Sequence, residues 1–324
     1  MPTKHEFALM IMQEDQVIQA RLIEDLLKIG EGVVVQAHAT LFHVDIGEEV
    51  ISAALHPSRV SAGSLRPVVG DRVVIGEQGA VEFITDVLPR RTLLSRSDVG
   101  TGQRQDIVAN VDVVVIVVSV VSPPLHPRII DRYVVAIRQG GAMPALFVNK
   151  CDLLSGPDLE VELLQLEPYR RAGFPIITGS AESGLGLDAL LTELKGKTAA
   201  FVGHSGVGKS SLLNALCPEI DAETGLVSAA YGRGTHTTTS SSRHLVAPET
   251  YVIDTPGIRS FGLADLDRED IARFFTEFAP YAGQCKYRDC LHLHEPQCAI
   301  KGAVQSGDIS EERYGFYVQL VGEV

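Results

Sequence analysis

The stretch Gly203–Ser210 has the residue types and spacing of a phosphate-binding loop. It reads G-H-S-G-V-G-K-S and fits the pattern G-x-x-x-x-G-K-[S/T]. The apolar run Ala199–Val202 before it is suited to a buried strand, and Ser211–Leu216 after it continues as a helix. A glycine-rich turn between a strand and a helix N-terminus directs several backbone N–H groups at one anion. We therefore predict that this loop, the P-loop, binds the phosphates of a nucleotide.

Each residue type in the P-loop has a task in phosphate binding. Gly203 and Gly208 let the backbone fold closely around a phosphate. Lys209 is expected to reach the β- and γ-phosphates, and the Ser210 hydroxyl to coordinate Mg²⁺. The other residues expected to contact the nucleotide are Ser205, Gly206, Val207 and Ser211. A chance glycine-rich turn is the alternative, and the flanking strand and helix patterns disfavour it.

Two further motifs predict that the base is guanine. Asn149, Lys150 and Asp152 form N-K-C-D at the end of a predicted strand. The Asp152 carboxylate would accept hydrogen bonds from the guanine N1–H and N2–H₂ groups, which adenine does not offer. Ser180 and Ala181 belong to G-S-A-E at 179–182, after the next predicted strand, and their backbone N–H groups would face the guanine O6. Without their neighbours, a helix N-cap and an ordinary loop would explain these two motifs equally well.

Two stretches beyond the P-loop predict a magnesium-dependent switch. Residues 232–239 read G-R-G-T-H-T-T-T, and Thr238 is the expected Mg²⁺ ligand. Asp254 and Gly257 bound the sequence D-T-P-G after a predicted strand. Asp254 would hold the Mg²⁺ shell, and the Gly257 N–H would contact the γ-phosphate.

The residue after D-T-P-G is Ile258, whose side chain cannot orient an attacking water. The nearest substitute is His236, because a neutral imidazole accepts a hydrogen bond from water and titrates near working pH. We therefore predict His236, Lys209 and Thr238 as the catalytic residues. The alternative is that His236 only packs against its own loop.

The order of these motifs along the chain is unusual. In Ras-like GTPases the P-loop comes first, and the two base-binding motifs come last. Here the base-binding motifs at 149 and 180 precede the P-loop at 203 and D-T-P-G at 254. A permuted chain can still form the same sheet, because its ends are only rejoined elsewhere. The D-T-P-G switch then leads directly into the C-terminal region.

That region contains a cluster typical of a structural zinc site. Cys285, Cys290, His292 and Cys298 have the spacing C-x₄-C-x-H-x₅-C, which suits a closed tetrahedral Zn²⁺ site with one ion per chain. His294 is a competing fourth ligand. Three unliganded buried cysteines are the alternative to a metal site.

Composition limits the class of protein. The chain has 324 residues, enough for two or three domains, and its formal net charge is −13. An acidic balance disfavours a general nucleic-acid coat protein but leaves room for a local basic patch. The longest purely apolar run, Val113–Val118, is too short to span a bilayer, and residues 1–19 have no leader pattern. We expect a soluble, cytoplasmic protein without a membrane partner.

The region 33–94 differs from the rest of the chain. Short β-like runs alternate there with Gly, Pro, Asp and Ser, which suits a small barrel of the OB type. Basic residues gather near its end, at Arg90, Arg91 and Arg96. Two hypotheses remain open: a nucleic-acid-binding module, or a structural β-module with solvated charges.

With these motifs and their permuted order, the chain closely resembles the ribosome small-subunit-dependent GTPase A family (RsgA, also called YjeQ). Further matching motifs are V-G-D at 69–71, L-P-R-R-T at 88–92 and N-V-D at 110–112, so the resemblance covers roughly 33–320. It implies an OB-fold domain at 33–95, a circularly permuted α/β P-loop GTPase domain at 96–262, and a mostly helical zinc-binding domain at 263–324, and we expect residues 1–32 to be an N-terminal extension.

The resemblance also implies a function. The chain would hydrolyse GTP to GDP and phosphate when stimulated by the small ribosomal subunit, bind that subunit and its rRNA late in maturation, and then leave it. No sequence feature requires an obligate oligomer, so we expect a monomer. Two other hypotheses are a nucleotide-gated RNA- or protein-binding adaptor with incidental hydrolysis, and an ATPase, which N-K-C-D disfavours.

Overall fold

A computed structural model describes residues 27–38, 40–57, 66–79, 81–97, 104–218, 241–254 and 266–323. These residues belong to two compact units. The first unit ends at Arg90 and also contains residues 241–243, and the second contains the rest of the described chain. None of the helices in these ranges is long and apolar enough to cross a membrane.

The first unit is a five-stranded barrel. Its strands are β1 (Leu27–Ala37), β2 (Leu41–Asp45), β3 (Val50–Leu55), β4 (Arg72–Gln78) and β5 (Val81–Val87). They pair in the order β1-β2-β3-β5-β4, and an additional β1–β4 pairing closes the barrel. Alternate side chains point inward, as the period of two requires, and Val34, Phe42, Val73 and Ile84 are among the core residues. The predicted OB-type barrel is confirmed.

A buried ion pair fastens Arg90, the residue at which the main segment of this unit ends, to Asp71, which directly precedes β4. The Arg90 guanidinium donates to both carboxylate oxygens of Asp71, from Nε and Nη2, at 2.8 Å each. The Asp71 side chain is fully buried, and its Oδ2 also accepts the Val68 N–H at 2.8 Å. The motifs V-G-D and L-P-R-R-T therefore meet in space, and Arg90 is a structural residue of the barrel.

The second unit is built on a parallel sheet. An antiparallel hairpin of β6 (Leu93–Ser97) and β7 (Arg104–Ala109) leads into it. The parallel strands are β8 (Val113–Ser119), β9 (Met143–Asn149), β10 (Ile176–Thr178), β11 (Thr198–Val202) and β13 (Thr250–Asp254), with β12 (Ser242–Ala247) beside β13. The order β10-β9-β8-β11-β13 places β8 in the middle, and every residue of this valine-rich strand is buried.

Five helices connect these strands within the described ranges: α1 (Pro127–Gln139), α2 (Gly156–Leu164), α3 (Glu167–Arg171), α4 (Leu187–Leu194) and α5 (Lys209–Leu216). A 3₁₀ turn, Cys151–Leu153, follows β9. The helical pattern over 159–172 predicts one helix, but the chain forms α2 and α3. Pro168, in the first turn of α3, has no N–H with which to continue the preceding helix.

The C-terminal part of the second unit is mostly helical. It contains α6 (Arg268–Ile271), two 3₁₀ turns (Ala272–Phe274 and Thr276–Tyr281), α7 (Ala299–Ser306) and α8 (Glu311–Glu323). The pattern over 268–278 predicts a single helix, and the structure has one α-helical turn followed by the 3₁₀ turns. An aromatic core of Phe275, Phe278 and Tyr317 joins them, and Val135 of α1 belongs to the same core.

A buried charge cluster fastens α8 to α1. Arg313 on α8 donates from Nη1 to Asp131 of α1, and from Nε to Glu277 at 2.5 Å. Only 2% of the Arg313 side chain is exposed, and its guanidinium carbon lies 4.6 Å from the centre of the Phe275 ring. Burial lowers the pKa of Arg313 to about 9, so the arginine remains charged at neutral pH.

Candidate nucleotide site and metal centre

The P-loop glycines occupy positions that a side chain would disrupt. Gly203, Gly206 and Gly208 have φ angles of +150°, +84° and +91°. A Cβ atom at Gly203 would lie 2.2 Å from the Val117 carbonyl oxygen, and one at Gly208 would lie 2.3 Å from Asn149 Nδ2. The loop therefore packs tightly on two neighbouring strand ends, and α5 begins directly after it.

The residues predicted to meet the phosphates lie together at the start of α5. Lys209 Nζ donates to the Gly203 carbonyl at 2.6 Å and to the His204 carbonyl at 2.9 Å. Ser210 and Ser211 are half-buried in the first turn of the helix, whereas Ser205 is exposed. The ammonium group is thus held against the loop by backbone carbonyls.

Asn149 connects three loops. Its side chain is almost fully buried. Nδ2 donates to the Val207 carbonyl in the P-loop at 2.8 Å, and Oδ1 accepts the Ala181 N–H at 2.9 Å. The first residue of N-K-C-D therefore fastens the base-binding loops to the phosphate-binding loop.

Lys150 makes a second connection to the P-loop. It has a left-handed backbone with φ +63°, and its Nζ donates to the Gly206 carbonyl at 2.7 Å and to the Ser122 carbonyl. Ser119, at the end of β8, shapes the loop that contains Ser122, because its Oγ donates to the Pro123 carbonyl at 2.8 Å. Asp152 is exposed in the 3₁₀ turn that follows.

The loop at 179–182 is closed by its own hydrogen bonds. Ser180 is buried, its N–H donates to the Leu185 carbonyl at 2.9 Å, and its Oγ accepts the Ser183 N–H at 3.2 Å. A Cβ atom at Gly179 would lie 2.2 Å from that same Leu185 carbonyl oxygen. The expectation that the N–H groups of this loop face the guanine O6 stays a prediction.

Strand register brings the motifs to one edge of the sheet. Asn149 pairs with Ser119 at the ends of β9 and β8, and Val202 pairs with Ile116 where β11 runs into the P-loop. Asp254 is the last residue of β13, which runs parallel to β11. Because all these strands are parallel, their carboxyl ends share one edge.

Of the other predicted residues, His236, Thr238 and Gly257 lie outside the described ranges.

The four predicted metal ligands also converge. The ligand atoms of Cys285, Cys290, His292 and Cys298 all lie within 4.8 Å of one another. His292 Nδ1 lies 3.5, 3.4 and 3.3 Å from the three sulfurs in that order, and the sulfurs of Cys285 and Cys298 are 3.9 Å apart. Zinc bond lengths in a regular tetrahedron require about 3.6 Å between nitrogen and sulfur and about 3.8 Å between two sulfurs. The donor set therefore fits a zinc ion, and exposed His294 is not part of the group.

Burial in the protein disfavours the charged forms of three of the four candidate ligands. Burial raises the pKa of the Cys290 thiol to about 12 and raises that of Cys298, whereas it lowers the pKa of His292. Burial thus opposes ionisation of the Cys290 and Cys298 thiols and protonation of the His292 imidazole. A divalent cation stabilises thiolates, so its binding would release protons from the cysteines.

Comparison with known proteins identifies the family. Residues 87–264 match the profile of the RsgA GTPase family. The small ribosomal subunit biogenesis GTPase RsgA of Pseudomonas fluorescens (strain SBW25) is 36% identical over 314 residues, which is 96% of this chain and 91% of that protein. The protein of the same name from Histophilus somni (strain 129Pt) is 42% identical over 296 residues, 90% of this chain and 83% of that one. The chain belongs to the RsgA GTPase family.

Two solved structures support the same family. YjeQ from Thermotoga maritima is 34% identical, with a TM-score of 0.75 over 91% of this chain and 98% of its own. YloQ, whose title describes a circularly permuted GTPase, is 28% identical, with a TM-score of 0.72 over 91% of this chain and 94% of its own. The permuted α/β fold predicted from the motif order is therefore confirmed.

Some contributors to the two sites in this RsgA family member were not predicted from the sequence. Ser122 acts through its carbonyl, which any residue would supply, so its type gives no signal. Glu295 and Tyr314 contact the metal loop, defined here as residues 285–298. For Glu295 a signal existed, because a carboxylate inside a run of metal ligands is expected to bind the loop backbone.

Proposed function

We propose that this protein is a GTPase that binds the small ribosomal subunit and acts late in its maturation, hydrolysing GTP to GDP and phosphate when the subunit stimulates it. The observation that carries the proposal is the convergence of N-K-C-D, S-A-E, the P-loop and Asp254 at one sheet edge despite their permuted order. The names of its relatives, small ribosomal subunit biogenesis GTPases, give the partner.

The proposed nucleotide chemistry follows from the residues at that edge. The Lys209 ammonium would exchange its two carbonyl acceptors for oxygens of the β- and γ-phosphates. Bound Mg²⁺ would neutralise charge on the same phosphates, with Ser210, Thr238 and Asp254 as the residues that hold it. Asp152 would select guanine.

His236 would determine when GTP is hydrolysed. It would orient the attacking water, since Ile258 follows D-T-P-G and cannot. Binding to the subunit would bring His236 toward the γ-phosphate, so that the free protein hydrolyses GTP slowly. The Gly257 N–H would contact the γ-phosphate.

The domain roles complete the proposal. An OB-fold domain (33–95) and a zinc-binding domain (263–324) would contact rRNA, on either side in sequence of a GTPase domain (96–262) in a monomeric chain. One Zn²⁺ per chain would be held by Cys285, Cys290, His292 and Cys298. Its role would be structural, because all four ligand positions are filled by side chains.

Co-sedimentation with purified small ribosomal subunits tests this function. The chain should pellet with the subunits in the presence of a non-hydrolysable GTP analogue, and less so with GDP. A Lys209→Ala variant should lose the difference between the two nucleotides. A chain that binds guanine nucleotides but pellets with neither would favour the adaptor hypothesis instead.

A further inference from the structure

The carboxylate of Glu295 accepts hydrogen bonds from three backbone N–H groups of the metal loop. Glu295 Oε1 accepts the Leu291 N–H at 2.9 Å, and its Oε2 accepts the N–H groups of Leu293 at 2.8 Å and His294 at 3.0 Å. Hydrogen bonds to an ionised acceptor are about twice as strong as neutral ones. A segment of four residues is thereby wrapped around one anionic side chain.

This arrangement decides which histidine faces the cysteines. His292 and His294 are two residues apart, and in an extended segment such residues point to the same side. Here His292 has a left-handed backbone, φ +59°, and lies between the two fastened N–H groups of Leu291 and Leu293. Its Nδ1 points at the three sulfurs, while His294 is exposed. Backbone conformation, not residue type, separates the two candidate ligands.

Two tyrosines of α8 bind backbone carbonyls of the same segment. The Tyr317 hydroxyl donates to the Leu291 carbonyl at 2.6 Å, and the Tyr314 hydroxyl donates to the His292 carbonyl at 2.7 Å. Three N–H groups and two carbonyls of residues 291–294 thus have fixed partners. A left-handed conformation at a non-glycine residue is strained and persists only where its surroundings impose it.

We propose that Glu295 is a positioning residue of the metal centre, which imposes the left-handed turn at His292 and so selects His292 over His294 as the fourth ligand. The inference rests on the proposed zinc site. Sequence spacing alone does not decide between His292 and His294. In this proposal Glu295, which is not itself a ligand, decides between them. Partners of metal ligands typically contribute about ten- to a hundredfold in metal affinity.

Zinc affinity of purified full-length variants tests the assignment. In competition with a chromophoric chelator, Glu295→Ala should weaken Zn²⁺ binding about ten- to a hundredfold, and Glu295→Gln should weaken it less, because an amide oxygen still accepts N–H groups. Glu312→Ala, at an exposed glutamate of α8, is the matched control and should bind like the wild type. GDP affinity, measured in parallel, reports whether the nucleotide-binding part of each variant has folded.

The identity of the fourth metal ligand distinguishes this proposal from a purely structural role of Glu295, which would leave that identity unchanged. His294→Ala should leave zinc affinity unchanged in the wild-type background but reduce it in Glu295→Ala, where His294 competes. The absorption spectrum of the Co²⁺-loaded protein should also change in Glu295→Ala and Glu295→Gln. Wild-type affinity and an unchanged spectrum in both variants would overturn the role of Glu295. A wild-type chain that binds no zinc would instead overturn the metal centre itself.

Discussion

The candidate nucleotide site and the metal loop are assembled from the chain in different ways. The nucleotide site draws on strand ends from Ser119 to Asp254, and its described contacts mostly end on main-chain carbonyls and N–H groups. The metal loop uses side chains within 14 consecutive residues, 285–298. A site made by a sheet edge tolerates reordering of its segments, whereas a site made by local spacing depends on every residue between its ligands.

The two sites also differ in the elements that stabilise them. The nucleotide site rests on a parallel sheet whose central strand is fully buried. The metal loop rests on aromatic side chains and on α8, and a bound zinc ion would add to that support.

Removing the metal should have the largest effect. Structural zinc contributes about 10–16 kcal/mol in zinc-finger peptides at pH 7, so chelation should unfold the metal loop. Hydrogen exchange would show lost protection at 285–298. GDP affinity should change by no more than about twofold, as expected for independent sites. A tenfold loss of GDP affinity would show that the two sites are coupled.

Breaking the buried charge cluster comes next. Arg313→Met should lower the free energy of unfolding by about 3–5 kcal/mol, because it leaves Asp131 and Glu277 buried without their cation. Arg273→Met is the matched control, since its ion pair with Asp270 is exposed and should cost less than about 1 kcal/mol. Urea unfolding measures both, and equal losses would contradict the role given to Arg313.

A methyl group in the P-loop should affect the nucleotide site alone. In Gly208→Ala the Cβ displaces the Asn149 amide, and the lost hydrogen bonds should cost about 3 kcal/mol, or on the order of a hundredfold in GDP affinity. Gly173→Ala has a similar positive φ but no atom within 4 Å of its Cβ, so it should keep wild-type affinity. Calorimetric titration with GDP distinguishes the two variants. Similar losses in both would mean that backbone strain, not contact with Asn149, is responsible.

The preference for guanine over adenine should depend on the carboxylate of Asp152. Asp152→Asn removes the carboxylate that would pair with guanine and should weaken GDP binding by about 1.5–3 kcal/mol, while ADP binding stays the same. Asp158→Asn, at an exposed position in α2, should leave both unchanged. Competition between GDP and ADP measures the preference. An unaltered preference in Asp152→Asn would remove this residue from the base site.

Local patterns in the sequence predicted the motifs, the barrel and the metal ligands. Each depends on residues close together in the chain, such as the alternation in β2 or the spacing from Cys285 to Cys298. The order of the motifs also predicted the permuted sheet. Motifs that lie at strand ends can form the same site whatever their order along the chain.

Contacts between distant residues were not predicted. Arg313 and Asp131 are 182 positions apart, and neither has a local pattern that indicates burial. Arg90 was grouped with the exposed basic residues, but folding pairs it with Asp71 in the barrel. The pattern over 159–172 predicts one helix, but Pro168 lies within it and the chain forms α2 and α3.

Single-turnover GTP hydrolysis tests the central claim most directly, with and without purified small ribosomal subunits at saturating Mg²⁺. The account predicts slow hydrolysis by the free chain, strong stimulation by the subunits, and a loss on the order of a hundredfold in the stimulated rate for His236→Ala. ATP should not be hydrolysed under either condition. A rate that the subunits leave unchanged would contradict the proposed function.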